Sequence, residues 1–150
     1  MRIADLLDEK VVKIGLESQD KEECIAELVE LLVRAGRISD RKAAMNALLE
    51  RERIGSTGIG NGVAIPHAKS TSIKTLCAAM GTSQAGIEFD SVDGQPVHLV
   101  FLVLAEANNP GPHVATLAEI ARLLQLPGFY RRILSAPTPK AVLSILNEEE

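Results

Sequence analysis

The ten residues VHLVFLVLAE, Val97 to Glu106, form the most apolar run in the chain. A strand with one face in water alternates apolar and polar residues, and this run does not alternate, so it reads as a central strand covered on both faces. Such a strand needs helices above and below it. The rest of the chain supplies them. A helix begins at Asp20, with Glu23 placed three residues on for a capping box, and runs through Ile25, Leu28, Leu31, Leu32 and Ala35 to a stop at Gly36. A second begins near Ser39, buries Ala44, Met45, Leu48 and Leu49, and stops at Gly55. HVATLAEIARLLQL predicts a third helix, started by Gly111 and Pro112, with Leu117, Ile120, Ala121 and Leu124 facing inward. PGFYRRILSA and PTPKAVLSILNEEE predict two shorter helices, each opened by a proline, and the closing glutamates read as a solvated end. Further strands are expected in VVKIGL, from Leu76 to Met80, and briefly in IEFDSVDGQP. The pattern predicts an α/β sandwich of a central sheet under helices.

At 150 residues, one domain spanning 1–150 is the simplest organisation. Aromatic residues make up 3% of the chain, Trp is absent and the net charge is −4, which argues against a stacking or phosphate-tracking nucleic-acid surface. Cys24 and Cys77 sit in apolar stretches without CxxC spacing and read as buried thiols. The N-terminus has acidic residues where a signal peptide needs an apolar core, and no stretch reaches the length of a membrane span, so a cytoplasmic protein is expected.

The stretch STGIGNGVAIPHAK, residues 56 to 69, carries the chemistry. Gly58, Gly60 and Gly62, with Asn61 between them, allow the backbone to approach a ligand and to present N–H groups to an anion. Neither a Walker motif nor a dinucleotide fingerprint is present. Pro66 fixes its own φ and restricts Ile65 to extended backbone, so His67 leaves the Val63 to Ile65 strand in a defined direction.

A histidine so placed suits a metal ligand, a general base or a nucleophile. Metal is the weakest choice, because His67, His98, His113, Cys24 and Cys77 show no HxxxH, HExxH or CxxC pairing. His113 stands at a predicted helix start, where the backbone dipole disfavours a protonated imidazole and favours an anion; a plain cap histidine reads equally well. Arg51 and Arg53 end the second helix, where cations are favoured without any functional role. His98, inside the central strand, reads as structural.

RERIGSTGIGNGVAIPHAK, Arg51 to Lys69, and PHVATLAEIARLL, Pro112 to Leu124, resemble the phosphorylation-site and second-histidine segments of the enzyme IIA proteins of the mannitol and fructose class of the bacterial phosphoenolpyruvate-dependent phosphotransferase system. The similarity covers essentially the whole chain and is strongest to the nitrogen-regulatory members. It implies a mixed central sheet, His67 as phosphoryl acceptor, His113 as the neighbouring active-centre histidine and Arg51 beside the phosphate, with no metal or cofactor. It also implies a phosphohistidine donor such as HPr or its nitrogen-branch counterpart. Downstream, three roles stay open: a regulatory phosphocarrier acting on a target protein, a free-standing sugar-transport IIA passing phosphate to a IIB domain, or a binding module of the same fold that is never phosphorylated.

Overall fold

The computed structural model describes residues 1–150. The elements follow in the order β1 (Val12–Ile14), α1 (Lys21–Arg34), α2 (Arg41–Ile54), β2 (Gly58–Gly60), β3 (Val63–Ala64), β4 (His67–Ser70), β5 (Cys77–Ile87), β6 (Val97–Glu106), α3 (Pro110–Gln125), α4 (Phe129–Ser135) and α5 (Pro139–Glu149). Short 3-10 turns at Ile3–Asp5 and Glu9–Val11 precede β1.

The apolar run is β6, and it is the middle of a six-stranded mixed sheet ordered β1-β5-β6-β3-β2, with β4 also paired to β6. β5 lies antiparallel to β6, whereas β3 and β4 lie parallel to it. Every residue from Leu99 to Ala105 is buried, so both sides of the pleat are covered. α1 packs on α2 and against β5, and α2 packs against β4. α3, α4 and α5 pack in sequence on one another and against β6, β5 and β1. Thirty-nine buried residues form one hydrophobic cluster around β6. No helix is long and apolar enough to cross a membrane.

β3 and β4 keep one register along β6, Val63 opposite Leu99 and His67 opposite Val103. Pro66 has no N–H and breaks the ladder for two residues, yet its carbonyl still accepts from Val103 N at 3.0 Å, so the strand resumes without slipping. His67 is therefore the first residue of a strand, β4. The glycine stretch likewise forms an antiparallel β2–β3 hairpin with Asn61 and its neighbours at the turn.

Several boundaries differ from the sequence reading for local reasons. β5 runs on to Ile87, and within it Gly81 leaves room for Leu16, where a Cβ would lie 2.7 Å from Leu16 Cδ2. Asp20 caps α1 by accepting from Glu23 N at 2.9 Å, but the Glu23 carboxylate reaches back to Gln19 N. Asp40, not Ser39, caps α2 through Ala43 N. α3 starts at Pro110, and its buried line is His113, Thr116, Ile120 and Leu123, while Ala121 is exposed. Thr116 tolerates burial because its hydroxyl donates to Pro112 O at 2.8 Å. The closing glutamates are not free. Glu148 and Glu149 pair with Arg132, and Glu150 accepts from Ile3 N and Ala4 N at 2.8 and 2.9 Å, satisfying backbone donors of the first turn. Both cysteines are buried, and burial pushes their thiols up to about 12 for Cys24 and about 11 for Cys77.

Candidate functional site

Three elements converge on a cavity of about 760 Å³. The last turns of α2 contribute Glu50, Arg51, Arg53 and Ile54, β4 contributes His67 and Lys69, and the first turn of α3 contributes Pro110, His113 and Val114. The structure thus brings together Arg51, His67 and His113, which are widely separated in sequence. It places Gly58, Gly60, Asn61 and Gly62 outside the walls of this cavity.

The two imidazoles meet edge to face, with ring centroids 5.5 Å apart and planes at 86°. His67 is half-buried, and its Nδ1 lies 2.7 Å from Ile65 O. A carbonyl only accepts, so Nδ1 carries the proton and the neutral ring keeps its lone pair on Nε2.

His113 is 6% exposed, and its Nδ1 is buried without a hydrogen-bond partner. A buried N–H without an acceptor is costlier than a buried lone pair, so the neutral ring places its proton on Nε2, the nitrogen left to face the cavity. Burial holds the His113 pKa below its ordinary 6.5, and the charges of His67 and Lys69 act in the same direction. One ring therefore offers a lone pair, and the ring across from it offers an N–H.

The depressed pKa has a measurable consequence. The unfolded chain binds a proton at His113 more readily than the folded protein, so stability rises with pH on the acid side of 6.5. Acidification from about pH 7 through that value lowers folding stability through this group. His113→Gln is expected to flatten that part of the slope, read from urea midpoints of both proteins across the same pH series.

Arg51 Nη1 donates to Gly55 O at 2.8 Å, closing the end of α2 and leaving its other guanidinium donors for the cavity. Arg53 is paired with Glu50 at 3.0 Å. Between these two arginines, Glu52 points the other way and is buried. Its carboxylate accepts from Thr57 N at 3.0 Å and from the Thr57 hydroxyl, and it pairs with Lys21 at 3.1 Å. This ties α2 to the start of α1 and to the strand entry, and with it the position of Arg51. Periodicity alone misses Glu52, because a charged residue on the buried line of a helix looks like the end of that line.

The glycines serve the hairpin. Gly60 and Gly62 have φ of +97° and +80°, and a Cβ at Gly62 would sit 2.1 Å from the Tyr130 hydroxyl. Asn61 N donates to Asp93 Oδ2 at 3.0 Å, which occupies an N–H the sequence reading assigns to an anion; the bonds from Gln95 N and from Asn61 N hold the Asp93 carboxyl below its usual range. His98 Nδ1 donates to Ser83 O at 2.8 Å, away from the cavity. Lys69, Glu50, Ile54 and Val114 line the cavity without having been singled out in sequence; the only local signal was that Lys69 lies two residues beyond His67.

A family model described as "Phosphoenolpyruvate-dependent sugar phosphotransferase system, EIIA 2" matches residues 5–149. The chain belongs to this family. It is 39% identical over 150 residues to the PTS system fructose-specific EIIABC component of Bacillus subtilis (strain 168), covering 100% of this chain but only 24% of that protein. The nitrogen regulatory protein of Bradyrhizobium diazoefficiens is 34% identical over 148 residues, covering 97% of this chain and 95% of its own. The crystal structure of nitrogen regulatory protein IIA-Ntr from Neisseria meningitidis superposes with a TM-score of 0.88 at 28% identity, covering 96% and 98% of the two chains. Relatives of this PTS IIA protein thus include both regulatory and sugar-specific members.

Proposed function

We propose that this PTS IIA protein is a phosphocarrier. It accepts a phosphoryl group on His67 Nε2 from a phosphohistidine carrier protein, HPr or its nitrogen-branch counterpart, and acts on partner proteins through its phosphorylation state. The observation that carries this reading is the facing imidazole pair, one tautomer fixed by Ile65 O and the other by burial.

The Nε2 lone pair attacks phosphorus in line as the donor's N–P bond breaks and that electron pair returns to the donor ring. His67 keeps its Nδ1 proton against Ile65 O, so its ring becomes cationic, and Ile65 O stabilises that charge. A donor ring protonated on its other nitrogen departs as neutral imidazole, so protons and charge balance. His113 Nε2–H donates to a phosphoryl oxygen. Because His113 stays neutral, it supports the group without trapping it as a tight ion pair. Arg51 adds positive charge at the rim, and phosphoryl transfer asks the protein for little beyond this positioning and charge stabilisation.

A second reading is favoured by the match to a segment of the fructose-specific EIIABC protein: relay of phosphate to a IIB domain in sugar uptake. The His67 chemistry is the same in both. One experiment orders the readings. The protein is incubated with phosphoenolpyruvate, enzyme I and a carrier, acid-labile phosphate is measured, and the phosphorylated protein is offered to a sugar-specific IIB. Labelling without transfer to IIB, together with a phosphate-dependent complex, supports regulation; rapid transfer to IIB supports transport. No labelling at all would leave only the unphosphorylated binding module.

A further inference from the structure

The cavity holds three cations, Arg51, Arg53 and Lys69. Two are engaged, Arg51 with Gly55 O at 2.8 Å and Arg53 with Glu50 at 3.0 Å. Lys69 makes no hydrogen bond and no ion pair, so it alone keeps all of its donors uncommitted. It also shares a face with the acceptor. Side chains alternate along a strand, so His67 and Lys69 of β4 point the same way while Ala68 between them is buried. Two residues along a strand span about 7 Å, a separation that a flexible four-carbon stem bridges easily.

We propose that Lys69 is a phosphoryl-binding residue: its ammonium closes on the oxygens of the group carried by His67 Nε2 and favours its fully ionised form. This rests on the phosphocarrier reading above. A phosphoryl group brings about −1.5 to −2 charges at neutral pH, and it arrives beside a cation that has nothing else to neutralise it. Lys69 makes and breaks no covalent bond. It keeps all its protons and acts as a point charge, whereas Arg51 is held in one orientation by the carbonyl it caps. The field of Lys69 already reaches the site, since it helps to hold His113 neutral.

The test uses the whole chain and potassium phosphoramidate, a small donor that phosphorylates histidine without a docked carrier. Wild type, Lys69→Met and Lys69→Arg are phosphorylated and followed by phosphorus NMR across pH. Lys69 is exposed, so the variants are expected to melt like wild type. Lys69→Met is expected to phosphorylate about tenfold more slowly, the size of one partly screened charge contact. The pH midpoint of its phosphohistidine signal should move upward, because the phosphoryl group holds its last proton more tightly without the cation, and Lys69→Arg should restore it. A midpoint in Lys69→Met equal to wild type overturns the inference, whatever the rate does, and leaves the phosphocarrier reading standing. No phosphohistidine signal in wild type overturns both.

Discussion

Replacing His67 with alanine is expected to abolish acid-labile phosphate incorporation, a loss of at least about 10³-fold, because it removes the proposed nucleophile. His113 is the only other imidazole there, and its available nitrogen carries the proton. The measurement is labelling with phosphoenolpyruvate, enzyme I and carrier, with circular dichroism to show that the variant is folded. Label that persists in His67→Ala would remove His67 from the mechanism and point to His113 in its other tautomer. The same variant should still bind any partner that recognises the unphosphorylated protein, because His67 is half-buried and contributes little to the surface.

Phe101→Ala is expected to cost about 3–5 kcal/mol of folding stability, the range for emptying a fully buried aromatic site. Phe101 is 1% exposed, lies in the middle of β6 and sits opposite Met80 of β5. Domains of this kind are stable by only about 5–15 kcal/mol, so one side chain carries a large share. Urea unfolding should show a lowered midpoint with an unchanged slope. A loss below about 1 kcal/mol would mean that the core refills the space, contrary to a strand packed on both faces. Phosphorylation by the remaining folded protein should survive at low temperature, because β4 is held to β6 by backbone hydrogen bonds that the substitution leaves in place.

Much of the architecture was legible because it depends on local patterns. An unbroken apolar run is incompatible with a half-exposed strand, so β6 and its two covering layers follow from ten residues. Helix faces and caps follow from spacing, to within a residue or two. Errors fell where polar side chains find specific partners that hydrophobic spacing does not report. Thr116 and Glu52 sit on buried helical lines, one because Pro112 O accepts its hydroxyl proton and the other because Lys21 and Thr57 reach its carboxylate. The terminal glutamates looked solvated because Arg132 and the backbone of Ile3 and Ala4 are invisible from their own neighbourhood.

The site divides the same way. Sequence alone determined that a proline-aimed histidine follows a glycine turn, that a second histidine opens a helix, and that the combination resembles a phosphotransferase IIA motif. Only the tertiary structure decided that these histidines face each other, that Arg51 and Lys69 stand beside them, and that the glycines build a hairpin instead of the cavity wall. It also decided the tautomers. Spacing encodes which way a side chain leaves the backbone, but a proton's place on an imidazole depends on which carbonyl lies within reach and how much water the packing removes. For His67 that carbonyl is Ile65 O, and for His113 the burial comes with the packing of α3 against β6.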